Sequence, residues 1–203
     1  QLDVDKESLR GTLSYTDPNY DFLGNAIGYS VSSVTNDKPN QGYENSLLTA
    51  GVSTSFEQYK DLYTRLGLEL SHDDLTTDGS ASDSLKKQSG EFSEVQANYG
   101  FTYDKRNRSF MPTDGSIASF SQSFPFYADK NFVSNTLSYS TYKSLNEDVV
   151  GAGKFFLSAI NGIGDDNVRL SKRTNISSRR LRGFEKGKVG PVDGSDHIGG
   201  NYA

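Results

Sequence analysis

Along this chain apolar and polar residues alternate with a period of two, the spacing of a strand that shows one face to an apolar environment. Between residues 60 and 72, Leu62, Thr64, Leu66, Leu68 and Leu70 share one face. Tyr63, Arg65, Gly67, Glu69 and Ser71 share the other. In 44–57, Leu48, Ala50, Val52, Thr54 and Phe56 oppose Thr49, Gly51, Ser53, Ser55 and Glu57. In 91–104, Val95, Ala97, Tyr99, Phe101 and Tyr103 oppose Glu94, Gln96, Asn98, Gly100 and Thr102. Segments 7–16, 24–35, 115–126 and 132–145 read the same way, as where Leu137 and Tyr139 oppose Thr136, Ser138 and Ser140. Segment 149–162 is less regular, because Lys154 shares a face with Phe156 and Ile160. The pattern predicts eight strands and no helix.

One apolar face per strand fits two architectures. In a soluble sandwich or barrel the apolar faces meet in a common core. In a membrane barrel they face lipid and the polar faces line a wet lumen. Three features favour the membrane barrel. The strands run ~10–13 residues, against ~5–6 in ordinary sheets. Tyr15, Phe56, Tyr103, Phe124, Phe126 and Tyr142 gather near strand ends, where a bilayer interface favours amphipathic rings. The connections also alternate: 58–60 and 145–148 are tight, whereas 36–43 and 73–90, at the opposite end, read as longer polar loops. The 105–114 connection is long and 127–131 short, against that trend. Residues 1–162 form one domain without an internal linker, and 163–203 form a long, Gly-rich, charged extension. An extension of that length is usually functional or disordered.

Composition agrees with one-sided strands. Of 203 residues, 33% are hydrophobic, yet 12% are aromatic, more than disorder would carry. No apolar run reaches the ~18 residues of a membrane helix, which leaves a barrel untouched. No signal peptide is visible; the chain begins at a polar segment and reads as a mature chain or an excised piece. The absence of Cys removes disulfide frameworks and thiolate metal sites. A net charge of -5 argues against nucleic acid as a partner.

Catalytic constellations fail one by one. Gly183-Phe184-Glu185-Lys186-Gly187-Lys188-Val189 has one residue too few between its glycines for a phosphate loop, and Val stands where a hydroxyl should bind magnesium. His72 and His197 are the only histidines and are far apart, so a triad or zinc site is poorly supplied. The acids Asp73, Asp74, Asp78 and Asp83 lack calcium-loop spacing and read as a solvated surface loop. No catalytic residue, metal or cofactor is expected.

Two strings carry more information. The first, Asn98-Tyr99-Gly100-Phe101-Thr102-Tyr103-Asp104-Lys105-Arg106-Asn107-Arg108-Ser109-Phe110-Met111-Pro112-Thr113-Asp114-Gly115, is a strand, a basic turn and a strand start. Pro112 fixes φ and Gly115 supplies the reversal, which sets the register of the next strand. The second is Arg179-Arg180-Leu181-Arg182-Gly183-Phe184-Glu185, followed by Gly190-Pro191 and Gly199-Gly200-Asn201. Together they resemble the BamA-type outer-membrane assembly factors. The first resembles that family's turn motif, carried here by Pro112, Thr113 and Gly115. The second resembles its signature loop, with Arg182, Gly183 and Phe184 as the core. Asp17-Pro18-Asn19-Tyr20 is similar to a short turn near the family's barrel start.

The resemblance implies an all-β, antiparallel, up-and-down transmembrane barrel. About eight strands of a sixteen-stranded barrel would be present, plus the long signature loop and the start of the next strand within 163–203. It implies a loop that folds into the lumen, where Arg182 pairs with acidic residues of the wall. A guanidinium in a partly desolvated lumen holds a carboxylate bidentately. It also implies localisation in the bacterial outer membrane and a non-enzymatic role in folding and inserting barrel proteins. Expected partners are outer-membrane lipids, unfolded client proteins and accessory lipoproteins held through periplasmic POTRA domains. On that alignment the chain begins near the fourth strand and stops after the signature loop. The POTRA domains, the first three strands and the last five would lie outside it, along with the acids that receive Arg182. The remaining readings are a small eight-stranded porin or adhesin, and a soluble sandwich that binds ligand or sugar.

Overall fold

A computed structural model describes residues 2–5, 8–39, 42–79, 81–177, 180–185 and 187–203, without the side chains of Val4, Asp5 and Ser84. Arg179, the first residue of the basic string, lies outside the described residues. The expected strands form. They are β2 (Ser8–Asp17), β3 (Ala26–Lys38), β4 (Tyr43–Tyr59), β5 (Leu62–Thr77), β6 (Gly90–Asp104), β7 (Asp114–Ala128), β8 (Phe132–Ser144) and β9 (Val150–Gly162). A ninth strand, β1 (Leu2–Asp5), precedes them and was not expected, because four residues are too few to display a period. All nine join in sequence order into one antiparallel meander.

The register confirms the two faces. One row runs Ile27, Thr54, Leu66, Tyr99, Gln122, Asn135, Ala159 across seven strands. Its neighbour on the opposite face runs Gly28, Ser53, Gly67, Asn98, Ser123, Ser134, Ile160. On the apolar face Leu13, Val31, Leu48, Leu70, Phe126 and Phe155 remain exposed. Leaving such a band in water would forfeit about 25 cal/mol for each Å² of apolar surface, so the face is built for an apolar surrounding.

The expected polar loops at 36–43 and 73–90 are shorter than expected, because strand runs into both ends of each. β3 runs to Lys38, β5 to Thr77, and β6 starts at Gly90, so only 39–42 and 78–89 connect them. The reason is burial. Tyr43, Asn45, Asp73 and Leu75 lie on the polar face at this end and are covered there, which holds the extensions in the ladder. A four-residue helix, α1 (Asp83–Lys86), sits in the 78–89 connection. The Ser82 hydroxyl accepts from the Leu85 N–H and donates to Asp193 in the tail at 2.8 Å.

The tail crosses the polar face. A 3-10 turn at Leu170–Lys172 seats Leu170 among Tyr43, Leu75, Ala81 and Leu85. Val168 joins Phe132 and Ile160 in a second cluster. A short ribbon, β10 (Val192–Asp193) with β11 (Asp196–His197), follows. The chain then returns to the sheet: Asn201 accepts from the Ile160 N–H at 2.7 Å, and Ser158 and Ala203 exchange two backbone bonds. Here lies the reason that β9 departs from simple alternation. Its inner face carries apolar Phe156 and Ile160 because the tail covers it.

The turn between β6 and β7 is held by its own side chains. Asn107 accepts from the Thr113 N–H at 3.1 Å and donates to the Thr113 hydroxyl at 2.7 Å. Arg108 donates to the Met111 carbonyl at 2.7 Å. Gly115 has φ 93°, and a Cβ there would lie 2.1 Å from the Lys105 carbonyl oxygen. Gly115→Ala should therefore destabilise the β6–β7 hairpin by about 1–3 kcal/mol from backbone strain alone. A lower urea midpoint for the folded barrel in detergent checks this; an unchanged midpoint counts against it.

Candidate functional site

The polar face at the tail end holds a buried charge cluster. β5 places Ser71 and Asp73 on that face, and β6 places Phe92, Glu94 and Gln96 beside them. The tail supplies Arg169, 4% exposed, together with Ser171 and Lys172. The Arg169 Nη2 donates to Glu94 Oε2 at 2.6 Å, and Nη1 lies 3.6 Å from Asp73 Oδ2. Lys172 donates to the other Glu94 oxygen, which also accepts from Ser71 at 2.8 Å. Asp73 accepts from Asn45 and from Ser171, each at 2.6 Å. The guanidinium stacks on Phe92, 4.7 Å from the ring centre.

Two carboxylates therefore face two cations, and both carboxylates are nearly inaccessible. Charges taken out of water need partners and hydrogen bonds. Each carboxylate here has both. Arg169 is less complete. Its Nε and Nη1, with Gln96 Nε2, have no hydrogen-bond partner among the described residues, so the 3.6 Å approach of Nη1 to Asp73 is an ion pair without a hydrogen bond. The cluster can clamp the tail against the sheet. Among the described residues no group of three or more His, Cys, Asp or Glu is arranged to hold a metal.

This corrects the reading of Asp73 as part of a solvated loop. It is an inward strand residue, paired and buried. The signal was available: carrying the 60–72 alternation onward puts Asp73 and Leu75 on the face of Ser71. Arg169 was missed because nothing around Asn167-Val168-Arg169-Leu170 separates a buried arginine from a solvated one.

The residues marked by sequence lie elsewhere. Arg182 and Phe184 are exposed, Phe184 by 57%, and Gly183 has φ 89°. Arg182 makes no ion pair or hydrogen bond among the described residues. Just before it, Arg180 packs on Phe156 of β9, 3.4 Å from the ring centre. Lys154, Ser138, Ser140 and Ile176 line the same cavity of about 590 Å³ on the polar face. Pro112 and Thr113 lie in the β6–β7 turn and Gly115 at the start of β7, and among the described residues no hydrogen bond or ion pair joins them to Arg182, Gly183 or Phe184.

A second anchor joins the tail to the β7–β8 connection. Asp166 accepts from the Asn131 N–H at 3.0 Å and pairs with Lys130 at 3.3 Å. Donation from the Asn131 backbone and then the Lys130 ammonium hold its carboxyl below the ordinary value of 3.8.

An antiparallel meander with an exposed apolar band on one face and a polar, tail-filled opposite face is the wall of an outer-membrane-type barrel. The Omp85 superfamily domain matches residues 1–203, and the chain belongs to that superfamily. The fold is similar to the crystal structure of BamA from Haemophilus ducreyi lacking POTRA domains 1-3. The TM-score is 0.82 at 23% identity, over 97% of this chain and 43% of that one. The sequence is similar to the sorting and assembly machinery component 50 homolog of Homo sapiens, 26% identical over 123 residues. The Bos taurus homolog is 25% identical over the same length. Each match covers 59% of this chain and 26% of the relative, so the chain spans about a quarter of these relatives. The apolar face is therefore the lipid side and the polar face the lumen side.

Arg169→Ala should cost about 3–5 kcal/mol, because it leaves buried Asp73 without its cation and Glu94 with Lys172 alone. Arg169→Met combined with Glu94→Gln and Asp73→Asn should cost much less. Urea midpoints and protease cleavage within 163–177 separate the cases; equal losses would contradict the clamp. A depressed carboxyl contributes stability above its unfolded value, lost as pH falls through the folded value. The Asp166 anchor should accordingly hold at neutral pH and loosen in acid below 3.8. Hydrogen exchange at the Asn131 amide reads this, and Asp166→Asn should abolish the pH dependence.

Proposed function

We propose that this chain is part of the wall and long lumen loop of an assembly barrel that folds and inserts β-barrel proteins into the bacterial outer membrane. The observation that supports it most directly is the tail held across the lumen face by Arg169, with the Arg182-Gly183-Phe184 string presented beyond it. The structural likeness to a bacterial BamA supports the bacterial location, and the relatives' names speak of sorting and assembly. The role is non-enzymatic: lipid-facing strands and a positioned loop lower the cost of inserting a client strand. The partners are outer-membrane lipids, unfolded client barrels, and accessory lipoproteins held through periplasmic domains outside this chain.

In the closed barrel Arg182 docks in the lumen against carboxylates of wall strands beyond this chain, with Gly183 making the turn and Phe184 the apolar anchor. Pro112, Thr113 and Gly115 set the wall register at the β6–β7 turn. The exposure of Arg182 supports this docking, since its guanidinium makes no ion pair or hydrogen bond among the described residues. Arg182→Ala in the full-length protein should lower the yield of heat-modifiable client barrels several-fold, and Arg182→Lys should recover only part, since an ammonium cannot form the bidentate fork. Normal client yields for Arg182→Ala would overturn the role.

A further inference from the structure

The lumen side holds a second group of charges that shares no residue with the Arg169 clamp. The cross-strand pairs Ser138–Phe156 and Ser140–Lys154 set two hydroxyls, a ring and an ammonium together on the lumen face of β8 and β9. The tail passes over them. It turns where the Arg180 and Leu181 N–H groups both donate to the Ser177 carbonyl, at 2.9 and 3.1 Å. That turn lays the Arg180 guanidinium on the Phe156 ring, 3.4 Å from its centre. With Ile176 and Leu181 these residues line the cavity of about 590 Å³.

Both charges in that cavity are positive. Lys154 makes no ion pair or hydrogen bond among the described residues, and the Ser138 and Ser140 hydroxyls make no hydrogen bond there. Stacking on Phe156 fixes the plane of the Arg180 guanidinium and leaves its donor fork open. That fork has no acceptor among the described residues. No Asp or Glu stands on the lumen face of β7, β8 or β9 to compensate either cation. Two cations sharing one cavity repel each other, and a concave wall of one sign concentrates counter-ions. The missing group is therefore an anion.

We propose that this cavity binds a phosphate monoester. At neutral pH such a group carries about −1.5 to −2 charges and three acceptor oxygens, which matches two cations. Its tetrahedral oxygens are met from the sheet by Lys154, Ser138 and Ser140 and from the tail by Arg180. A carboxylate brings one charge and two oxygens in a single plane, and leaves part of this donor set idle. A water molecule takes only ~30 Å³ of liquid, so the cavity has room for much more than a phosphate ion. Ile176 and Leu181 line the space for the ester's organic part. A lipid headgroup and a soluble ester share this chemistry.

The test titrates the full-length protein in detergent with phenyl phosphate and reads the phosphorus NMR line width. Saturable broadening is expected, and it should weaken as pH falls through about 6, where the ester takes up its second proton. Lys154→Gln with Arg180→Gln should weaken binding at least tenfold while the barrel stays heat-modifiable. Arg180→Lys, which keeps the charge and loses the fork, should retain part of the affinity. If the double variant does not fold, Lys154→Gln alone, at an exposed position, should still weaken binding several-fold. Displacement by micelles carrying phosphatidic acid would name a lipid headgroup as the source, and displacement by glycerol phosphate alone a soluble ester; either supports the site. No saturable binding, an affinity unchanged in the charge-neutral variants, or benzoate competing as well as phenyl phosphate overturns the proposal.

Discussion

The seating of Arg169 between Glu94 and Asp73 is the contact on which the lumen side depends. A sheet of this kind is open on its polar face, and nothing in the meander fixes where a long tail should lie. The charge cluster supplies that position. It brings Val168 and Leu170 down onto Phe132, Ile160, Tyr43 and Leu75, and these small clusters hold every buried apolar side chain among the described residues except Val34. The protein thus has little core in the ordinary sense. Its wall is stabilised by backbone pairing and by the apolar medium outside, while its interior is organised by a few ion pairs beneath a loop.

Buried ion pairs are poor net stabilisers but costly to break. That asymmetry suits a clamp better than a glue. Alternative placements of the tail would leave Glu94 and Asp73 uncompensated in a confined space, so the arrangement excludes wrong seatings more than it deepens the right one. The 78–89 connection contributes by closing over the same end, where Ser82 ties α1 to Asp193 in the tail.

Much of the wall was legible in the sequence, since a strand with lipid on one side and water on the other must alternate. Leu62 to Leu70 show this as plainly as any strand could. Legibility failed where another part of the chain changed the environment. Lys154, Phe156 and Ile160 confuse β9 because the tail covers its lumen face. Asp73 read as a loop acid because its partner, Arg169, lies ninety-six residues away in sequence, a distance no local pattern reaches. The Arg182-Gly183-Phe184 string revealed kinship at once, yet kinship did not reveal Arg169, which belongs to no such string.

The wall pairs only sequence neighbours, whereas the contacts of the tail reach back 75 residues to Glu94 and 111 to Ser82. Ordering therefore has a built-in sequence in time. Hairpins of short span can close one after another, each at a small entropic cost, while the tail has no surface to dock on until β4 to β9 stand side by side. Yet Asn201 lies next to Ile160, so the whole excursion begins and ends at one spot on the wall. Its length can grow or shrink without shifting a single strand pairing. The filling of the barrel is in this sense a separately variable part, free to diverge while the staves around it keep their order.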